Sequence, residues 1–252
     1  MGIIKKTIEF MFFVSVFVIL LAACTQEATE RNAPDKNDEE SADTKESEVV
    51  EHLRIGTNAF TEGLEATRTS NADAQWQYSI YDTLIMRDPF SEELSFIPGL
   101  AESWENVEST VWEFQLREGV RFHNGNIMEA EDVAFSLNRI FEAEDPRFNN
   151  AYGRYFNNFE EVEIVDSYTV RIHLKRPDPL VEIFLSDLSG AITSKAYIEE
   201  VGEDEANHMP VGTGPYKVVD FTPGERAVLE RFDDHWEILH LFNRLPLLIC
   251  LK

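Results

Sequence analysis

Between Val111 and Leu174 the apolar residues change their spacing from alternate positions to a helical repeat and back, and only a fold that mixes strands with helices accommodates the change. Val111 to Leu116 places Trp112, Phe114 and Leu116 on one face and Val111, Glu113 and Gln115 on the other. That alternation predicts a half-buried strand, with Val120 to Phe122 continuing it after the Arg117-Glu118-Gly119 turn. Ala130 to Phe141 sets Val133, Ala134, Leu137, Ile140 and Phe141 on one helical face. Val162 to Val165 and Val170 to Leu174 then read as a hairpin across Asp166-Ser167-Tyr168, its second strand burying Val170, Ile172 and Leu174.

The flanks are mixed in the same way. Leu53 to Thr57 alternates like a strand, and Ala72 to Met86 carries Trp76, Ile80 and Leu84 at four-residue spacing, which predicts a helix with one buried stripe. Leu180 to Leu188 is a short apolar helix after Pro177-Asp178-Pro179, and Ser194 caps a helix through Glu200. A last hairpin joins Tyr216 to Phe221 with Arg226 to Arg231 across Thr222-Pro223-Gly224-Glu225. From His52 onward there are about 200 residues, enough for one sizeable core or two smaller ones. Hydrophobic residues make up 43% of the chain and aromatics 12%, which is sufficient material to fill them.

The N-terminal stretch sets location rather than fold. Lys5 and Lys6 precede an apolar run from Phe10 to Leu21 that is too short to span a bilayer but suits a signal peptide. It ends on Leu21-Ala22-Ala23-Cys24, which resembles the lipobox of bacterial lipoproteins, cleaved before a lipid-bearing cysteine. Residues 1–23 are then signal peptide, and acylated Cys24 anchors the chain, carrying palmitate among its acyl groups, on the extracytoplasmic face of the cell membrane. Residues 24–51 follow as a disordered tether, since Thr25 to Glu51 holds ten acidic residues against Arg31, Lys36 and Lys45. The formal net charge of the whole chain is -25, so nucleic-acid binding, which needs a basic face, is disfavoured. Cys250 has no second cysteine left to pair with once Cys24 is lipidated, which leaves neither a disulfide framework nor a cysteine metal site.

Several strings together carry a resemblance. Tyr81-Asp82-Thr83-Leu84-Ile85, Pro98-Gly99-Leu100-Ala101-Glu102-Ser103-Trp104-Glu105 and the run from Trp112 to Gly125 come first. Glu131-Asp132-Val133-Ala134-Phe135-Ser136, Pro210-Val211-Gly212-Thr213-Gly214-Pro215-Tyr216-Lys217 and Arg231-Phe232-Asp233-Asp234-His235-Trp236 follow in order. The chain from His52 to Trp236 resembles extracellular solute-binding proteins of family 5, the oligopeptide- and dipeptide-binding lipoproteins of ABC transporters. Most of these residues have core spacing, and Gly119, Gly125, Gly212 and Gly214 are expected to serve turns rather than a phosphate cradle, since no Walker-type lysine follows.

The resemblance implies an α/β, type II periplasmic-binding-protein-like fold of two lobes with an extra lobe. The first lobe would be discontinuous, from residues 52–81 plus 194–236, and residues 82–193 would form the extra lobe of the peptide-binding subgroup. It also implies a peptide ligand, held largely through its backbone, and membrane permease subunits of a cognate ABC transporter as partners. By position in the family, Thr69, Ser70 and Asn71 touch ligand from the first lobe and Phe148 or Tyr152 from the extra lobe; capping and surface packing are the alternative roles for these residues. No cofactor, no metal and no catalytic residue is expected: the six histidines show no HExxH spacing. Nickel chelate, glutathione, haem or oligosaccharide are alternative family ligands, and a lipid-anchored peptide sensor is an alternative role.

Departures from the family pattern are Glu65-Ala66 in place of Asp-Pro, Asn124 in the turn after His123, and Glu129 where threonine usually caps the next helix, a weaker cap. Beyond Trp236 the family continues with Gly-Gly and a long second half, whereas Glu237 to Lys252 is apolar without strand or helix period. Residues 237–252 are therefore expected to be an aberrant tail, left by truncation or a frameshift, making the fold incomplete at the C-terminus and peptide binding impaired.

Overall fold

The computed structural model of the chain describes residues 53–57, 61–68, 77–141, 156–237 and 247–251, all within one compact unit, Glu48–Lys252. In chain order it contains β1 (Leu53–Thr57), β2 (Ile85–Arg87), β3 (Phe96–Pro98), β4 (Ala101–Glu108), β5 (Val111–Leu116), α1 (Ala130–Phe141), β6 (Phe159–Asp166) and β7 (Thr169–Leu174). Then come α2 (Val181–Leu185), α3 (Lys195–Val201), α4 (Glu203–His208), β8 (Tyr216–Thr222), β9 (Arg226–Arg231) and β10 (Leu247–Leu251), with short 3-10 turns at Ala66–Arg68 and Leu188–Gly190.

One antiparallel sheet has the order β4-β5-β7-β6. Phe114, Leu116, Phe159, Val170 and Ile172 on its strands join Val133, Leu137 and Ile140 of α1 in the larger buried cluster. The alternation in β5 and β7 and the helical stripe of α1 thus meet in one core, where each fully buried large side chain contributes about 1.5–3 kcal/mol. Phe156 and Phe159 pack with ring centroids 4.9 Å apart, and the Trp104 indole N–H donates to Glu182 at 2.7 Å, tying β4 to α2.

The start of α1 shows how the weak Glu129 cap is offset. Asp132, three residues on, reaches back to accept the Glu129 N–H at 3.1 Å, the reciprocal half of a capping box. Its other oxygen accepts the Lys195 N–H at the start of α3, at 2.9 Å. Ser136 donates to the Thr193 carbonyl and accepts the Thr193 N–H at 3.0 Å, so Asp132 and Ser136 together fasten α1 to the segment that enters α3. Ser194 caps α3 through the Tyr197 N–H, and the helix runs one residue past Glu200.

The second sheet is mixed, in the order β1-β10-β9-β8, with β1 parallel to β10 and the other pairs antiparallel. Val218, Ala227 and Leu229 of its strands join Leu64, Ile80, Tyr81 and Leu188 in the smaller buried cluster.

Three sequence expectations give way here. The tail expected to lack strand period forms β10 over Leu247–Leu251, hydrogen-bonded to β1 on one side and β9 on the other. A short, continuous apolar run is how a strand enclosed within a sheet reads, and periodicity alone does not reveal it. The helix expected to reach Met86 has already ended, because Ile85–Arg87 is β2, paired with β3. Ile80 and Leu84 are both fully buried, but in different clusters, so their four-residue spacing marks a chain leaving one core for another. Val120 to Phe122 does not continue β5: it makes a single bridge between Arg121 and Ile127 around a tight turn closed by the Phe122 N–H on the Asn126 carbonyl at 2.9 Å.

Candidate ligand-facing site

Thr69, Ser70, Asn71, Phe148, Tyr152 and Cys24 lie outside the described residues. The nearest described structure downstream of the first three is the turn Gln77–Ile80, and it opens into a cavity.

Two close approaches fix this turn. Gly214 donates its N–H to the Ile80 carbonyl at 2.9 Å and Tyr216 donates to Ser79 at 2.8 Å. A Cβ on Gly212 would stand 2.2 Å from the Ile80 oxygen, and one on Gly214 would stand 2.6 Å from the Ile80 carbonyl carbon. These two glycines therefore serve backbone contact between distant segments, not turns; Gly119 and Gly125, with φ of 76° and 90°, do serve turns. His123 braces the same strap: its N–H donates to Gly212, one ring nitrogen bonds the Gly214 carbonyl at 2.9 Å, and the other accepts the Gly212 N–H at 3.4 Å. Burial pulls the His123 pKa down to about 4, so the ring is neutral at pH 7 with its proton on Nε2.

Asp82 sits at the centre of the junction. One of its oxygens accepts from the Thr213 hydroxyl at 2.9 Å and the Trp236 indole N–H at 2.8 Å, with His235 Nε2 3.5 Å away. Burial pulls the His235 pKa down, but the hydrogen bond and charge of Asp82, with Glu237, outweigh it and leave His235 raised. The Arg117 guanidinium lies over the Trp236 ring at 4.6 Å. The backbone at Asp82 and Thr83 is pinned in turn by the Ile192 N–H and by a bridge between Thr83 and Ala191.

Held between these ties is a cavity of about 330 Å³ lined by Tyr78, Tyr81, Asp82, Thr83, Met86, Arg87, Ser186 and Asp187. Burial raises the Tyr78 pKa, as does the charge of Asp187, while the Leu188 N–H on its hydroxyl and the charge of Arg87 oppose the rise. Periodicity gives no hint of this site, because Tyr78 to Arg87 and Ser186-Asp187 lie about a hundred residues apart and are brought together by the Thr83–Ala191 bridge, the Ile192 N–H on Asp82 and the Leu188 N–H on Tyr78.

Glu65, where the family pattern has aspartate, is 2% exposed and structural. It accepts the Thr67 N–H at 2.9 Å and the Thr67 hydroxyl, and lies 3.6 Å from Arg139, which pairs with Glu203 at 2.7 Å. Tyr81, whose hydroxyl donates to the Leu64 carbonyl, is pushed well up by burial and then by the charge of Glu65. Among the described residues no group of three His, Cys, Asp or Glu could hold a metal ion, and no helix is long and apolar enough to cross a membrane.

Residues 95–247 match the family described as bacterial extracellular solute-binding proteins, family 5 middle. The chain belongs to this family. It is 27% identical over 243 residues to the peptide transport periplasmic protein SapA of Salmonella typhimurium, covering 88% of this chain and 43% of that protein. Among solved structures it is similar to the periplasmic binding protein DppA of Helicobacter pylori in complex with the peptide STSA, with 25% identity, a TM-score of 0.68, and coverage of 79% of this chain and 42% of that one. NikZ of Campylobacter jejuni in complex with Ni(L-His) gives 26% identity and a TM-score of 0.68, covering 80% of this chain and 39% of that one. The fold is accordingly the mixed α/β fold of these family 5 binding proteins, and the chain spans about two fifths of the length of these three relatives.

Proposed function

We propose that the chain is the substrate-binding component of an ABC importer, capturing peptides outside the membrane and delivering them to permease subunits. One observation carries this: the likeness to a peptide transport protein extends over 88% of the chain and is not confined to one motif. Residues 52–81 with 194–236 form one wall of the cleft and residues 82–193 the extra lobe; Thr69, Ser70, Asn71 and Phe148 or Tyr152 face the ligand. Lipid on Cys24 holds the chain beside its permease, where tethering raises the effective concentration of captured solute. Labelled palmitate should enter the full chain and not the Cys24→Ala variant; equal labelling of both would refute the anchor.

The second reading, a nickel chelate as solute, is favoured by the likeness to NikZ, whose TM-score equals that of the peptide complex. Equilibrium dialysis of the full chain against a labelled tripeptide tests peptide capture. Saturable binding at concentrations up to about 1 mM supports the proposal, and none at that concentration contradicts it.

A further inference from the structure

At the Asp82 junction one buried nitrogen is aimed at a carboxylate without bonding it. His235 lies in the segment that leaves β9, its side chain 6% exposed, and its Nε2 stands 3.5 Å from Asp82 Oδ2 with no hydrogen-bond partner among the described residues. The Asp82 side chain is itself only 9% exposed, and the same oxygen accepts from Thr213 and from the Trp236 indole. Across the ring, Nδ1 lies 3.1 Å from the Glu237 carbonyl and 3.3 Å from the Glu237 N–H. A neutral imidazole has one proton for these two sides. With the proton on Nδ1 it bonds the carbonyl and turns a lone pair toward Asp82; with the proton on Nε2 it faces Asp82 and gives up the carbonyl. Only the imidazolium donates in both directions.

The groups around the ring favour that second proton. Asp82 faces it from the chain entering β2 and Glu237 from its own segment, while Asp233 and Asp234 beside it are exposed. His123 acts on it from the turn after β5, but with a pKa of about 4 that ring is neutral while His235 titrates. Lys217, close enough to act on His123, is paired with Glu230 at 3.5 Å, and Arg117, over Trp236, is paired with Glu102 at 3.1 Å.

The segment that carries His235 joins the two cores. Phe232 donates its N–H to the Pro215 carbonyl at 2.8 Å and packs edge-on against His123, with ring centroids 5.1 Å apart. Trp236 packs against the larger buried cluster, 5.4 Å from the His235 ring. We propose that His235 is a proton-operated latch: charged, it bonds Asp82 and the Glu237 carbonyl at once and holds residues 232–237 on the junction; neutral, it releases one of them and loosens the exit from β9. The latch needs no solute and stands apart from the reading of the chain as a peptide-capturing protein. A base whose pKa is raised on folding stabilises below its unfolded value of 6.5 and ceases to do so as pH rises through the folded value. The latch is therefore closed in mild acid and opens toward alkaline pH.

NMR on the full chain tests this by following the His235 ring protons and the exchange protection of the Phe232 amide from pH 6 to pH 9, corrected for intrinsic exchange. The His235 midpoint should lie above 6.5, and Phe232 protection should fall about tenfold across it. Asp82→Asn keeps an oxygen for Thr213 and Trp236 but removes the charge, so the midpoint should drop. In His235→Gln, Phe232 protection should no longer change with pH. A midpoint at or below 6.5 in the unmutated chain, an unchanged midpoint in Asp82→Asn, or the same loss of protection in His235→Gln overturns the latch. If Asp82→Asn does not fold, the unmutated chain and His235→Gln decide.

Discussion

The two sheets are built from the same chain by opposite routes. The β4-β5-β7-β6 sheet draws all its strands from Ala101–Leu174, pairs them antiparallel and carries α1 on its buried face. The β1-β10-β9-β8 sheet draws its strands from Leu53–Thr57 and from Tyr216 onward, and its one parallel pair joins the two ends of the described chain. Local pairing costs little loop-closure entropy, whereas joining distant segments must meet that cost before any contact forms. The first sheet should therefore be the more autonomous of the two, and the strap from Gly212 to Tyr216 is what couples them at Ile80.

The largest effect expected is in the autonomous sheet. Phe114 is fully buried at its centre, and Phe114→Ala should destabilise the chain by about 3–5 kcal/mol in urea denaturation. A loss below about 1 kcal/mol would mean that this core does not dominate stability. Acid acts next, at the coupling strap. The His123 pKa falls from 6.5 to about 4 on folding, so the unfolded chain binds a proton there that the folded chain refuses. Stability is full above pH 6.5 and is lost as pH falls through about 4, by roughly 3 kcal/mol. His235, raised on folding, works the other way, adding stability below 6.5 that disappears as pH rises through its folded value. The net acid loss should be measurable as a lower urea midpoint at pH 4.5 than at pH 7, and His123→Gln should abolish its larger part. The smallest effect is expected at the strap itself. Gly212→Ala forces the strap off the Ile80 carbonyl at a cost of about 1–3 kcal/mol. Hydrogen exchange should then accelerate in β8 and β9 while β5 and β7 keep their protection; equal acceleration in both sheets would show that they open as one.

Legibility in the sequence followed the same division. The ends of α1, the β6–β7 and β8–β9 hairpins and the Ser194 cap were all readable from local period and turn residues, because their determinants lie within a few positions. β10 was not, since an enclosed strand needs no alternation, and neither was the break after Ile80, where two cores happen to share a four-residue spacing. Gly212 and Gly214 read as turn glycines because close approach to a carbonyl some 130 residues away leaves no trace in their neighbours. The cavity was hidden for the same reason: Arg87 and Asp187 come to line it through long-range ties at Thr83–Ala191, Asp82–Ile192 and Tyr78–Leu188.

The class of solute is open to one direct measurement, saturation-transfer difference NMR on the full chain with an equimolar mixture of a dipeptide, a tripeptide and the nickel–histidine complex, each alone as control. Peptide capture predicts transfer to the two peptides and none to histidine of the nickel complex. Transfer to the nickel–histidine complex alone would contradict it.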